Sequence, residues 1–258
     1  KEYGENLLAW LLIKSNRRHE LFFPEISSRR KELIEMAEMN LSREIEVCML
    51  KGEMVKKGLE LLEAKLELKN IPNRIECFDI SNIQVKDAVA SMSVAVSGNL
   101  SKKDYRRFKI KTKDTPDDFR MMEEVLFRRY SKLEKEELPD VILVDGGKGQ
   151  LGVAEKVLKS VGKYQYVDII SIAKKEELVF KTGVEEPFVI SQKDEALKIL
   201  QRLRDEAHRF GITYHRKLRS KRIIKSALDE IKGLGEKRKK LLYDRFGSYE
   251  KIINADID

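Results

Sequence analysis

An aspartate closes the apolar run Val141-Ile142-Leu143-Val144 and is followed at once by Gly146-Gly147-Lys148-Gly149-Gln150. An acid at the carboxyl end of a buried strand stands where open α/β sheets place their sites. Glycines after it let the backbone turn sharply and approach a phosphate. Asp145 therefore reads as the acid of an ordinary Asp-Gly turn or as a site residue, and the preceding strand and Lys148 favour the site. The spacing matches neither a P-loop nor a dinucleotide-binding fingerprint. A second acid, Asp79, lies in Glu76-Cys77-Phe78-Asp79-Ile80-Ser81. A charge within a buried strand is costly without a partner. Asp79 reads equally as a strand-end cap beside Ser81 and Asn82 and as a metal ligand. Two carboxylates converging from neighbouring strands suit a hard cation such as Mg²⁺ or Mn²⁺. Such a site orients an attacking water and stabilises the charge on a cleaved phosphodiester. The two acids are 66 positions apart, so only the fold could unite them.

His208 sits in Arg202-Leu203-Arg204-Asp205-Glu206-Ala207-His208-Arg209-Phe210. A helical histidine among charges is commonly just solvated. Here its cationic neighbours could hold phosphates, and the imidazole could serve as a third ligand or handle a water proton. His215 is seven residues on, near the same helical face, whereas His19 looks incidental. Lys148, Arg204 and Arg209 are candidates for phosphate contact. Tyr105-Arg106-Arg107 mixes an aromatic with cations, as nucleic-acid surfaces do. Arg216, Lys217, Arg219, Lys221, Arg222 and Lys225 form a basic run that reads as a solvated face or as backbone contact. Near the end, Gly233-Leu234-Gly235 precedes Glu236-Lys237-Arg238-Lys239-Lys240. A tight Gly-x-Gly turn opening a helix can hold a phosphate on backbone N–H groups, and with Phe246-Gly247-Ser248 it resembles a helix-hairpin-helix. A plain helix cap and turn is the other reading.

These residues need elements to carry them. From Asn6 to about Lys69 the pattern is helical, with Leu59, Leu62 and Leu66 at helical spacing. Asn70-Ile71-Pro72 ends it. Arg74–Ile80, Ala88–Val96 and Tyr105–Lys111 read as strands of a meander, with Gly98-Asn99 as a turn. Asp117–Lys135 is expected as a helix with Asp117 and Asp118 in its first turn. Then come strand Asp140–Val144, helix Leu151–Ser160, strand Val167–Ala173, a hairpin of Leu178–Thr182 with Pro187–Ile190, and a helix from Asp194 to about Arg222. Strands first, then strands alternating with helices, predict an α/β mixed sheet flanked by helices. The expected division is a helical linker region over 1–71, the sheet domain over 72–224 and a helix-hairpin-helix segment over 225–258.

Composition bounds the function. The 258 residues include 52 Lys+Arg against 44 Asp+Glu, a net charge of +8, which points to a polyanionic partner. Cys48 and Cys77 fit neither a zinc site nor a disulfide framework, so free thiols in a reducing cytoplasm are expected. No apolar run approaches the roughly 18 residues of a membrane span, and no signal peptide is visible. The chain begins at Lys1 and reads as a piece of a longer protein.

Together, Phe78-Asp79-Ile80-Ser81-Asn82, Tyr105-Arg106-Arg107-Phe108, Leu143 to Leu151 and Arg204 to Phe210 resemble the UvrC family, from about Pro72 to the end. The resemblance implies an RNase H-like fold with Asp79, Asp145 and His208 as the catalytic, metal-binding set, and Asp118 as a supporting carboxylate. It implies a DNA endonuclease using Mg²⁺ or Mn²⁺ that makes the incision on the 5′ side of a lesion in bacterial nucleotide excision repair. It also implies a helix-hairpin-helix region, here Gly233, Gly235 and Lys237, that binds damaged double-stranded DNA where duplex meets single strand. A UvrB-type helicase would be the partner of the complete protein. Val85 and Lys232 stand where the family has a glycine and a proline, and a second hairpin is expected after Asp258. Two other readings are a non-catalytic DNA-binding scaffold, which would bind salt-sensitively without cutting, and another RNase H-like nuclease such as a junction resolvase, which would cut without damage-recognition partners.

Overall fold

The computed structural model describes residues 2–15, 19, 29–81, 89–111, 117–173, 177–229, 234–246, 252 and 255. The chain forms two compact units, Lys1–Glu53 and Met54–Asp258. The first holds α1 (Glu2–Ser15) and most of α2 (Arg29–Leu66). The rest of α2 belongs to the second unit, where Leu59, Leu62 and Leu66 are buried at the helical spacing that the sequence predicts.

The second unit is built on a sheet of seven strands among the described residues: β1 (Arg74–Ser81), β2 (Val89–Val96), β3 (Asn99–Leu100), β4 (Arg106–Lys109), β5 (Val141–Asp145), β6 (Asp168–Ile172) and β7 (Val179–Lys181). Their order is β3-β2-β1-β5-β6-β7, with β4 also paired to β2. β1 and β2 are antiparallel, β1, β5 and β6 are mutually parallel, and β7 returns antiparallel at the edge. The helices are α3 (Asp118–Tyr130), α4 (Lys148–Ser160), α5 (Glu195–Asp229) and α6 (Glu236–Phe246). The expected mixed sheet with flanking helices is thus present.

Alternation along the strands assigns the faces. Ile75 and Cys77 of β1 join Val141 and Leu143 of β5 in one core with α5 and the end of α2. Phe78 joins Ile142 and Val144 in a second core with α3 and α4. The central strands are buried on both sides, so they read as continuous apolar runs.

Several boundaries differ from the sequence expectation. α3 stops at Tyr130, and a short 3-10 turn over Lys135–Glu137 follows, where one helix to Lys135 was expected. Lys163 explains the stop, because its Nζ donates to the carbonyls of Tyr130 and Leu133 and satisfies chain ends that a longer helix would use internally. α4 begins at Lys148 rather than Leu151, with Gly147 as its N-cap. Asp117 is the N-cap of α3, not part of its first turn. Its carboxylate accepts from the N–H of Phe119 at 2.9 Å and of Arg120 at 3.4 Å. The expected hairpin is β7 with a single bridge between Val179 and Phe188.

Candidate active site

The parallel register of β1 and β5 pairs Phe78 with Val144. Asp79 and Asp145 are the next residue on each strand, so 66 positions of chain close into adjacent carboxylates. They follow Cys77 and Leu143 by two, and so share the face that α5 covers. Asp79 lies within β1 opposite Ser91 and is almost fully buried, not at a strand end as a cap would be. Behind the pair, the Cys77 thiol is pushed well above its usual pKa by burial, then by the charges of Asp145 and Asp79. A small neutral side chain is what that position tolerates.

Asp79 and Asp145 line a cavity of about 300 Å³ with Asp118, Met122, Gly146, Gly147 and Gln150. Asp118 enters from the other helical layer, at the first turn of α3, because Asp117 takes the capping role. Gly146 has a φ of +152°, and a Cβ there would come within 2.6 Å of the Gln150 side chain. Both facts call for glycine directly after Asp145. A second depression on the α5 side is lined by Asp145, Arg204, Asp205 and His208. Nδ1 of His208 lies 3.4 Å from Oδ2 of Asp79, the long end of hydrogen bonding, and half of the imidazole side chain is exposed.

The sequence reading missed what holds α5 there. Ser91 and Ser93 donate 2.7 Å hydrogen bonds to the carbonyls of Ala207 and Leu203, one helical turn apart. Both serines are fully buried. The signal was available: Ser91, Ser93 and Ala95 alternate small residues along one face of β2, where a helix must approach closely.

The candidate phosphate contacts are placed differently from one another. Lys148 is exposed at the start of α4, with Nζ 5.6 Å from the centre of the Phe180 ring. Arg204 is mostly buried and pairs with Glu177 at 2.7 Å and Asp205 at 2.9 Å. Burial works against its charge, but those two carboxylates outweigh it and raise its pKa. Arg209 forms two 2.6 Å bonds to Glu206. Arg106 is exposed and donates to the carbonyls of Lys103 and Tyr105. Arg107 lies 3.6 Å over the Phe210 ring and 5.0 Å from that of Tyr214, and burial lowers its pKa. Tyr105 is buried, with its ring edge-on to Phe210.

Toward the end of the chain, the Gly235 carbonyl accepts from Arg238 and Lys239 and opens α6, with Lys237 exposed in its first turn. Gly233, Lys232 and Val85 lie outside the described residues, as do the side chains of His215 and the basic run after it.

The scan against known families matches residues 63–212 to the UvrC RNase H endonuclease domain. The chain belongs to this family. The UvrC match covers the whole sheet and both depressions. Two curated relatives agree with it. UvrABC system protein C of Fusobacterium nucleatum is 55% identical over 96% of this chain and 42% of its own length. That of Gloeobacter violaceus is 41% identical over 98% of this chain and 41% of its own. The chain thus spans about two fifths of the length of these UvrC relatives. Among solved structures, Ciona intestinalis endonuclease V in complex with an inosine-containing DNA matches with 14% identity and a TM-score of 0.37, covering 67% of this chain and 99% of that one.

The donors suit a hard cation. Carboxylate oxygens on one open cavity, beside an imidazole, are the set that Mg²⁺ or Mn²⁺ accepts while keeping several waters. Among the described residues no three His, Cys, Asp or Glu side chains form a ready-made cage. No described helix is long and apolar enough to cross a membrane.

Proposed function

We propose that this chain hydrolyses the phosphodiester backbone of DNA at the Asp79–Asp145 cleft. In the complete protein this would be the incision on the 5′ side of a lesion in nucleotide excision repair. The observation that carries the reading is the parallel register that brings Asp79 next to Asp145, with Asp118 lining one depression at the pair and His208 a second that Asp145 shares.

Asp79 and Asp145 would hold a divalent ion, Mg²⁺ or Mn²⁺, with Asp118 in support. That ion supplies neutralisation of the charge that builds on the phosphate. His208 handles the water proton or completes the ligand set. A carboxylate against Nδ1 favours the tautomer with the proton there, which leaves Nε2 as the basic nitrogen. Lys148, at the N-terminus of α4, offers a cation and a helix end to a phosphate. Arg204, which lines the second depression, and Arg209 are both held by carboxylates and would meet phosphate only by exchanging those partners. The substrate would be damaged double-stranded DNA with a junction of duplex and single strand. Gly233, Gly235 and Lys237 would belong to a helix-hairpin-helix contact with it, and a UvrB-type helicase would be the partner of the whole protein in the cytoplasm.

Asp79→Asn and Asp145→Asn test this directly. Each variant should melt like the parent, lose Mn²⁺ binding by calorimetry, and lose cleavage of damaged DNA. In a complete protein the cut on the 3′ side should persist. A parent chain that binds DNA salt-sensitively but never cuts it with any divalent ion would leave only the scaffold reading.

A further inference from the structure

Next to the acidic cavity an aromatic ring is seated on a glycine of α4 yet left largely open to solvent. Phe119 is 46% exposed. It directly follows Asp118, which lines the cavity. The ring lies against Gly149, where a Cβ would meet Cε1 at 2.7 Å and Cζ at 2.9 Å. Any other residue at 149 would displace it. Gln150, the next residue after this seat, and Gly147, two before it, line the same cavity. The backbone beneath Phe119 is fixed as well, since its N–H donates to the Asp117 cap. Two exposed cations stand close by in sequence, Arg120 directly after Phe119 and Lys148 directly before Gly149.

We infer that Phe119 is a stacking platform for an unpaired base beside the phosphate that is cut. The inference rests on the DNA-cleaving reading above and adds a selectivity device to it. Base–aromatic stacking tolerates any sequence, because every base has a π-face. It needs a base whose own face is free, so it favours a single-stranded or junction position over continuous duplex. Tyr105, the aromatic in the other motif of cations and rings, is buried and unavailable for this. Phe127 on the same helix is equally exposed, but eight residues further on it stands about 12 Å along the axis from Phe119. It serves as a control.

The test uses the whole chain in EDTA, so that nothing is cut. Forked DNA carries 2-aminopurine at each unpaired position next to the junction in turn. The parent should quench the probe at one of these positions. Phe119→Ala should lose the quench and bind about tenfold more weakly, the size expected for one stacked base. Phe119→Leu keeps apolar bulk on Gly149 and should lose the quench too, whereas Phe119→Tyr should keep both quench and affinity. Phe127→Ala should behave as the parent, and melting curves check each fold. Phe119→Ala and Phe119→Leu that quench and bind like the parent overturn the stacking role. If the parent still cuts DNA with Mn²⁺ in that case, the proposed function stands and only this inference falls. A parent that neither binds nor cuts removes both.

Discussion

Arginine and glutamate residues around the cleft divide into those available to a ligand and those committed to each other. Arg204 and Arg209 lie in the segment that carries His208, and as a sequence they suggest phosphate contact. Each is instead spoken for, Arg204 by Glu177 and Asp205, Arg209 by Glu206. The Arg209 pair is three residues apart on one helix, so it could have been read from spacing. The Glu177 pair could not, since it joins a loop to α5 across 27 positions. Glu206 is nearly buried, and hydrogen bonding from Arg209 holds its carboxyl below the usual 4.5 despite burial. A depressed folded-state pKa contributes stability that is present above the unfolded value and lost as pH falls through the folded one. Glu206→Gln should therefore lower the melting temperature at pH 7. The gap between parent and variant should narrow as pH drops below about 4.5. Thermal melts across that range check this, and a gap constant with pH would show that the charge contributes nothing.

At the scale of elements, position comes from how strands and helices meet. The apolar runs of β5 and β6, the acid closing β5 and the long helix carrying His208 are legible in the sequence, because burial on both faces leaves an unmistakable pattern. The pairing of β1 with β5 is not, as it is a contact between distant segments. Nor is the docking of α5, which depends on two hydroxyls in β2. Ser91 bonds the carbonyl of Ala207, the residue before His208, and Ser93 bonds that of Leu203, the residue before Arg204. These carbonyls also serve the helix, so removing a hydroxyl leaves no orphaned acceptor and should cost only about 1 kcal/mol. Ser91→Ala and Ser93→Ala should each lose that much by urea unfolding. Turnover should separate them, with Ser91→Ala lowering kcat more, because its bond sits next to the imidazole. Equal kcat in the two variants would mean that α5 is placed by apolar packing alone.

At the scale of the whole molecule, charge is distributed unevenly. The net +8 is not spread over the chain: six cations lie between Arg216 and Lys225 without one acid among them. Those residues follow the turn of α5 that carries His208, so a strand of DNA held at the cleft could run along the same helix. Phosphates neutralised by lysine and arginine release condensed counterions, and log K falls with log salt by roughly 0.9 per contact on duplex DNA. Replacing Lys217, Arg219 and Lys221 by alanine together should weaken binding to all sequences alike. The salt slope should become shallower by up to about three units. Binding measured in EDTA from 50 to 300 mM salt separates this from any effect on cleavage. Catalysis at saturating DNA should change little, since the three follow the segment that carries His208 and none is among the residues proposed to act at the cleft. A slope unchanged in the triple variant would mean that the basic run is a solvated face. The electrostatic attraction would then come from other exposed cations, such as Arg106, Lys148 and Lys237.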